Sequence, residues 1–240
     1  MTQDTEEWVD RLAKARATGE RSSMIEWVAD VLRGQIFEGT FEPGQRLREE
    51  KIGEILEVSR NTLREAFRLL GHERLVVHQF HRGVFVAQPS ADDVADLYRV
   101  RRALELSAVR GASGAPRSGI DAVAAAVTEG EQALGGEDWW GIGTANMRFH
   151  EAITALAGSR RADEIMRQLL AEMRLVFHIM KAPREFHAPY LTSNRRISDL
   201  LSAGRTEDAE AALAAYFDIA ERQLLEAYDR GGPAGPDAPG

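Results

Sequence analysis

The segment VSRNTLREAFRLL, residues 58 to 70, constrains the fold more than any other stretch of this chain. Ser59 is a favoured N-cap residue, because its hydroxyl accepts a hydrogen bond from a free backbone amide at a helix start. Apolar residues then recur at the i, i+3, i+4, i+7 spacing of one helical face, at Leu63, Ala66, Phe67 and Leu70. The segment therefore predicts an amphipathic helix with one face in a core.

The opposite face of this helix is polar and basic. It carries short polar groups in the first turn and guanidinium groups behind them: Arg60, Asn61, Thr62, Arg64 and Arg68. An α-helix fits the major groove of DNA, and the side chains at its N-terminus reach the base edges. A solvated charged face is the alternative interpretation, but the elements on either side of the helix favour DNA recognition.

The flanking segments predict a helix-turn-helix followed by a wing. Residues 49–56 (EEKIGEIL) have the apolar spacing of a short helix, and Glu57-Val58 forms the turn between the two helices. After Leu75, two short period-two runs surround a polar turn, which predicts a two-stranded hairpin. The helix and the hairpin tip supply the predicted DNA-binding residues, which are Ser59, Arg60, Asn61, Thr62, Arg64, Arg68, His81, Arg82 and Gly83.

The distribution of charge agrees with this prediction although the total does not. A net charge of −8 argues against binding to nucleic acid. Residues 59 to 86, however, hold five arginines and two acidic residues, a balance of +3, whereas residues 87 to 240 hold 17 basic and 23 acidic residues, a balance of −6. A basic module joined to an acidic body is expected of a DNA-binding domain attached to a domain with another role.

The chain after Pro89 has helical periodicity throughout. Pro89 ends the wing strand, and Ser90 caps a helix with two aspartates in its first turn, where the helix dipole favours them. Helices are predicted at about 91–111, 117–134, 137–157, 166–180, 190–203 and 206–228, with Pro183 and Pro189 in a loop. The prediction is therefore a mainly α protein, with three helices and a two-stranded wing followed by helices alone.

This organisation divides the chain into four parts. Residues 1–21 form an N-terminal arm with a weak amphipathic pattern, and residues 22–88 form the winged helix-turn-helix, whose first helix has its cap at Ser22 or Ser23. Residues 89–230 form the helical domain, and residues 231–240 (GGPAGPDAPG) a disordered tail.

Composition excludes several classes of site and location. The absence of cysteine rules out disulfides, cysteine nucleophiles and thiolate metal sites. No apolar run has the length of a bilayer span, and residues 1–20 are acidic and lack the apolar centre of a signal peptide. We therefore expect a cytoplasmic bacterial protein without membrane contact.

The N-terminal motifs resemble a known family. SRNTLREAFRLLGHERLV, the following HRGVFV, and the phrase EPGQRL at residues 42–47 are similar to the winged helix of GntR-superfamily transcription factors. The resemblance covers residues 22 to 88. Glu50 departs from it, because some relatives carry a basic DNA-contacting residue there. The operator sequences of those relatives should therefore not be assumed for this chain.

The C-terminal half also resembles a domain of these regulators. DLYRVRRALE at residues 96–105, Phe149-His150, residues 155–157 and residues 197–205 are similar to the FadR-like effector-binding and dimerisation domain called FCD. The resemblance spans about residues 91 to 228. It implies an all-α antiparallel bundle with a central cavity for a small molecule, and a homodimer.

The resemblance also locates a metal position, but the residues there have changed. Many FCD domains hold a divalent metal with one carboxylate and three histidines, and those positions correspond here to Asn146, His150, Asn194 and Tyr216. Only His150 is a good ligand for zinc, nickel or manganese. No metal is therefore predicted, with His150 as a weak candidate, and a pocket that binds a polar or anionic metabolite directly is favoured.

Arg101 is the natural candidate to bind a carboxylate or phosphate on that metabolite, because its guanidinium binds such groups through two hydrogen bonds. An internal ion pair with Glu105, four residues further on, is the alternative. Arg174 and His178 either enter the same cavity or lie at the edge of the bundle. The predicted effector-binding residues are Arg101, Glu105, Asn146, His150, Arg174, Asn194 and Tyr216.

These inferences predict a homodimeric transcription regulator that binds double-stranded operator DNA under the control of a small-molecule effector. The alternatives are an architectural DNA binder without an effector and a metal-dependent or acid-base helical enzyme built on His150 and Glu105. Against the enzyme, no nucleophile has a recognisable setting and no phosphate-binding glycine loop is present. We therefore do not expect an enzyme.

Overall fold

The structure is a computed structural model that describes residues 24–178 and 183–230, without the side chains of residues 178 and 183–188. Two compact units form. Of the described residues, one unit contains residues 24–89 together with Arg174–His178, and the other contains residues 90–173 and 183–230. The predicted N-terminal arm, the caps at Ser22 or Ser23, the C-terminal tail and the His178 side chain lie outside the described residues.

The first unit is a helix-turn-helix with a small sheet. Its helices are α1 (Met24–Phe37), α2 (Glu49–Leu56) and α3 (Arg60–His72), and its strands are β1 (Arg46–Leu47), β2 (Val76–Gln79) and β3 (Gly83–Val86). The strands form an antiparallel sheet in the order β1-β3-β2. The predicted β2–β3 hairpin, residues 76 to 86 and hereafter the wing, is confirmed, and β1 adds a third strand by pairing Arg46 with Phe85.

The core of this unit is formed by the apolar faces that the sequence predicts. Leu63, Phe67 and Leu70 of α3 are buried, as are Val28 and Leu32 of α1. The α2–α3 turn places Glu57 in the left-handed region, with φ 52°. Because the buried face of α3 is fixed by this core, its polar face is held outward.

The second unit is all-helical over its described residues, and the predicted fold class is confirmed. Its helices are α4 (Ala91–Arg110), α5 (Arg117–Gly135), α6 (Trp139–Ala155), α7 (Arg160–His178), α8 (Pro183–Ser202) and α9 (Thr206–Asp229), with a short 3₁₀ turn at Ala112–Gly114. The end of α7, Arg174–His178, groups with the first unit. Ser90 and Asp93 form a complete capping box at the start of α4. No helix in the described ranges has the length and apolar character needed to cross a bilayer.

The predicted loop at Pro183 and Pro189 is wrong, because α8 begins at Pro183 and contains Pro189. A proline is tolerated at the first position of a helix, where the backbone amide is unpaired in any case. Pro189 lies further in and removes one backbone hydrogen bond. The buried residues that follow, including Tyr190, Leu191 and Ile197, show that packing outweighs this local penalty.

Candidate functional site

The N-terminus of α3 is built by a side-chain cap. Ser59 Oγ accepts a hydrogen bond from the Thr62 backbone amide at 3.0 Å and lies 2.8 Å from Thr62 Oγ1. Asn61 is exposed beside it. The side chains of Arg60, Arg64 and Arg68 are 87%, 70% and 68% exposed. The predicted recognition residues of α3 therefore form one solvent-facing row.

Acidic residues of α2 face this row across a groove of about 520 Å³. Arg60 Nη2 lies 3.3 Å from Glu50 Oε1, and Arg64 Nε lies 3.9 Å from Glu49 Oε2. Exposed ion pairs of this kind contribute about 0–1 kcal/mol. The two arginines are therefore held loosely and can exchange these carboxylates for phosphates or base edges.

The wing tip brings together predicted and unexpected residues. His81 and Gly83 have positive φ values of 58° and 106°. The Arg82 guanidinium carbon lies 5.6 Å from the centroid of the Phe85 ring. Arg46 of β1 packs against Gly83, because a Cβ there would lie 3.4 Å from Arg46 Nε. Sequence reasoning missed Arg46, although it belongs to the EPGQRL phrase before α2.

A second set of predicted residues meets inside the helical unit. Six side chains from α4, α6, α8 and α9, each no more than 6% exposed, form what is hereafter the buried polar cluster: Arg101, Glu105, Asn146, His150, Asn194 and Tyr216. Buried polar groups are stable only when they are paired or hydrogen-bonded. Burial of these six side chains therefore costs free energy, except where they pair with one another.

The cluster is one continuous network. Arg101 Nε donates to Glu105 Oε1 at 3.0 Å, and Glu105 Oε2 lies 2.6 Å from His150 Nδ1. His150 Nε2 lies 3.0 Å from the Tyr216 hydroxyl, which lies 3.2 Å from Asn146 Oδ1. The ion pair between Arg101 and Glu105, one of the two alternatives from the sequence, is thus present in this structure.

Asn146 Oδ1 also accepts from Asn194 Nδ2 at 2.8 Å, which extends the network to α8. Asn194 and Glu105 are therefore linked through three intervening side chains. The four positions where the resemblance placed a metal are all members of this chain of hydrogen bonds.

Burial and charge set the ionisation of the network. Burial alone raises the pKa of Glu105, but His150 when it is protonated, together with the charge of Arg101, brings that pKa below its usual value. Burial lowers the pKa of His150 against the opposing effect of Glu105. Burial also raises the pKa of Tyr216 well above 10. At neutral pH the cluster therefore holds a carboxylate, a neutral imidazole and a neutral phenol.

The direction of hydrogen bonding depends on His150. Neutral His150 with its proton on Nδ1 donates to Glu105, and its Nε2 accepts from the Tyr216 hydroxyl. Protonated His150 donates from both nitrogens, so the Tyr216 proton is then directed to Asn146. A change in the charge of one side chain therefore reorders bonds across α4, α6 and α9.

Two buried atoms of the cluster have no hydrogen-bond partner in the described part of the chain, Arg101 Nη2 and Asn194 Oδ1. The Arg101 guanidinium carbon lies 5.1 Å from both the Tyr98 and the Phe217 ring centroids. The two ring centroids are 6.0 Å apart, so both aromatic rings lie near one part of the guanidinium, where they favour its positive charge. The cluster thus retains one free donor and one free acceptor.

Arg174 lies elsewhere. It is in the last turn of α7, in the stretch grouped with the first unit, and its guanidinium carbon lies 5.8 Å from the Phe37 ring centroid. Burial lowers its pKa to about 10. The structure therefore brings together six of the seven predicted effector residues, and Arg174 is not among these six.

The donor set of the cluster does not fit a divalent metal. His150 is its one imidazole, and both ring nitrogens are engaged. The other three positions where the resemblance places metal ligands are Asn146, Asn194 and Tyr216. They offer amides and a phenol, which are poor ligands for such ions. Across residues 24–178 and 183–230, no group of three His, Asp or Glu side chains is placed to share an ion.

Fold and sites together define a winged-helix DNA-binding protein with a separate all-helical domain. The model for bacterial regulatory proteins of the GntR family matches residues 25–86, and the FCD domain model matches residues 96–218. The chain belongs to the GntR family of transcription regulators and carries an FCD domain, as its motifs predicted.

Related proteins agree with this membership. The solved structure of a candidate GntR transcriptional regulator from Rhodococcus sp. RHA1 is 46% identical, with a TM-score of 0.81 over 85% of this chain and 98% of that one. The HTH-type transcriptional regulator YdhC of Bacillus subtilis is 28% identical over 83% of this chain and 90% of its own. The structure of McbR/YncC from E. coli, at 22% identity and a TM-score of 0.73 over 87% of this chain and all of that one, shares the fold.

Proposed function

We propose that this regulator binds its operator under the control of a small polar or anionic metabolite that occupies the buried polar cluster. The observation that carries the proposal is the buried Arg101 guanidinium, 2% exposed, whose Nη2 donor is unpaired. An unpaired buried donor or acceptor is costly. A ligand that pairs with it recovers that free energy, so these residues suit binding better than they suit stability.

The chemistry of the cluster defines the ligand class. Arg101 Nη2 donates to a carboxylate or phosphate oxygen, and Asn194 Oδ1 accepts from a hydroxyl or amine on the same molecule. Glu105 already balances the charge of Arg101. An anionic ligand therefore competes with Glu105 for Arg101, and it also changes the electrostatic environment of His150.

DNA recognition is assigned to the exposed residues of α3 and the wing. In the proposed complex, α3 lies in the major groove, and Ser59, Arg60, Asn61, Thr62, Arg64 and Arg68 contact bases and phosphates. His81, Arg82 and Gly83 contribute from the wing tip. A cytoplasmic homodimer places two copies of α3 in successive major grooves of a pseudo-palindromic operator.

Effector control follows from the two discrete hydrogen-bond arrangements of the cluster. A ligand that binds one arrangement better shifts the population towards it. If that arrangement alters the separation of the two recognition helices in the dimer, operator affinity changes with it. The effector and the operator must then affect each other's binding by the same factor.

The test combines native mass spectrometry with thermal unfolding. Freshly purified protein, without chelator, is expected to have the mass of a dimer, with a small organic molecule wherever one co-purifies. Pyruvate, succinate, citrate, benzoate and inorganic phosphate are then added separately, and at least one should raise the melting temperature of the helical unit. A carboxylate probe at 100 times its Kd stabilises by about 2.7 kcal/mol.

Two matched variants make the result specific. Arg101→Lys keeps the charge but removes the two-pronged guanidinium, and should abolish the ligand-induced shift. Arg102→Lys changes the neighbouring residue, which pairs with Asp218 and Glu221, and should retain it. The proposal would be contradicted if the ligand changed the melting temperature of both variants equally. It would also be contradicted if native mass spectrometry showed a stoichiometric divalent metal.

A further inference from the structure

Phe80 at the tip of the wing is the most exposed large apolar side chain in the described part of the molecule, at 87%. Among the described residues, the next is Ile219 at 51%. Single exposed apolar residues are common and need no explanation when they are half covered by their neighbours. A phenyl ring that projects almost completely from a hairpin tip is a different case, because the described residues around it leave most of its surface in water.

The hairpin holds Phe80 in a defined place. Gln79 pairs with Gly83 across the sheet, so that Phe80, His81 and Arg82 form a three-residue loop. The Arg82 amide donates to the Gln79 carbonyl at 3.0 Å, and His81 has the left-handed conformation. The Phe80 and His81 ring centroids are 3.9 Å apart. The ring is therefore presented by a closed turn.

The surroundings of Phe80 are basic. Arg82 lies over the Phe85 ring, and Arg46 packs against Gly83, so two guanidinium groups are held near the tip. Neither arginine has an ion pair with an acidic side chain in the described ranges. The narrow minor groove of DNA has an enhanced negative potential that attracts such groups. An exposed phenyl ring on a hairpin tip that also carries two guanidinium groups is a combination that suits this groove.

The fold gives the wing access to that groove. The two grooves of DNA alternate, so an element that crosses one phosphate backbone from a helix in the major groove reaches the minor groove. Each wing strand has four residues, which at about 3.3 Å per residue gives a reach of roughly 13 Å before the turn. The wing leaves the α3 helix within four residues of its end, so the same unit presents both elements.

We infer that Phe80 is a wedge that inserts between base pairs in the minor groove of the operator and bends the DNA. Apolar side chains of this kind partly unstack a base step and kink the duplex by about 20–90°. Pyrimidine–purine steps are the easiest to unstack. Phe80 therefore adds a preference for a deformable step at a position where no base edge is read. This inference rests on the proposed docking of α3.

The experiment uses the DNA fragment that the wild-type dimer enriches from a randomised pool. Phe80→Ala is expected to lower affinity on the order of ten- to a hundred-fold, the range for removing one ring that stacks on a base. Phe80→Leu retains an apolar wedge and should keep most of the bend. Val77→Ala, on an exposed wing strand position, is the matched control and should change neither property.

Bending is measured by fluorescence transfer between the ends of the fragment, and unstacking by 2-aminopurine placed at each adenine in turn. The wild type should brighten one 2-aminopurine position and shorten the end-to-end distance, and Phe80→Ala should do neither. Selection with Phe80→Ala should still return the bases read by α3, but with no preference for a pyrimidine–purine step beside them.

Three results would overturn the inference. Phe80→Ala binding with unchanged affinity and bend would show that the ring does not reach the DNA. Weaker binding with an unchanged bend and 2-aminopurine signal would show contact without insertion. If Phe80→Ala sediments as a monomer where the wild type sediments as a dimer, the ring lies between the subunits. An Arg60→Ala variant separates these from a failure of the docking itself, since wild-type affinity in that variant would reject α3 as the recognition helix.

Discussion

Replacement of Glu105 by Gln tests whether the buried polar cluster is held together by charge. Glu105 and Arg101 are 0% and 2% exposed and are joined at 3.0 Å. Gln keeps the shape of the side chain and can still accept a hydrogen bond from His150, but it leaves the Arg101 guanidinium without its counter-ion. Removal of one partner of a buried pair costs about 3–5 kcal/mol.

The expected consequence is a large fall in thermal stability of the helical unit. At about 2–4 °C per kcal/mol for a chain of this size, the melting temperature should fall by roughly 6–20 °C. Differential scanning calorimetry at a fixed protomer concentration is the appropriate assay, because it separates the two units if they melt apart and avoids shifts caused by dimer dissociation.

Asp121→Asn is the matched control. Asp121 pairs with Arg117 at the same i, i+4 spacing and the same 3.0 Å, but the two side chains are 60% and 71% exposed. Its loss should cost about 0–1 kcal/mol. If Glu105→Gln and Asp121→Asn have the same melting temperature, the reasoning is refuted, because the cluster then does not need the charge of the Glu105 carboxylate. An Arg101→Met, Glu105→Leu double variant should recover most of the stability lost by the single change.

Three further predictions concern pH, the helix cap and the wing. The pKa values of His150 and Glu105 are lowered in the folded state, which therefore binds fewer protons than the unfolded state. The free energy of unfolding, measured by urea denaturation, should fall below about pH 6.5 and further below about pH 4.5, with no such loss above pH 7. If a His150→Gln variant loses stability between pH 7 and 5.5 as steeply as the wild type does, this assignment is contradicted. Ser59→Ala should cost about 1 kcal/mol by removing the α3 cap, whereas Ser59→Asn should not. Gly83→Ala places a side chain at a φ of 106° and should cost about 1–3 kcal/mol and weaken DNA binding, while Gly114→Ala, with open space around it, should be neutral in both assays.

The winged helix was predictable because each of its signals is local. The hydroxyl of Ser59, the apolar spacing of α3 and the alternation of the wing all act within one or two turns of chain, and the structure contains each of them. Strand β1 was missed because its two residues are too few to show a period. Its pairing with β3 depends instead on contacts made about forty residues later.

The cluster was predictable in membership and less so in arrangement. The resemblance to FCD domains named four of its residues, Asn146, His150, Asn194 and Tyr216. The chemistry of a guanidinium group pointed to Arg101, and the spacing of Arg101 and Glu105 suggested their pairing. The contact of Glu105 with His150 joins residues 45 apart in the chain, and no pattern in the sequence reports it. The exposed position of Phe80 was equally hidden, because an aromatic residue beside a strand is more often part of a core.

The carboxylates of Glu49 and Glu50 beside the recognition arginines have a kinetic consequence. In the proposed docking on random DNA, Arg60 and Arg64 would meet phosphates but not the preferred bases, and these carboxylates would lie near the same phosphates and repel them. Non-specific complexes should therefore be short-lived, with a weaker salt dependence than the number of arginines suggests. With that docking, the protein would give up general affinity for DNA and gain a faster search, since time spent on the many competing sites of a genome limits how soon the operator is found.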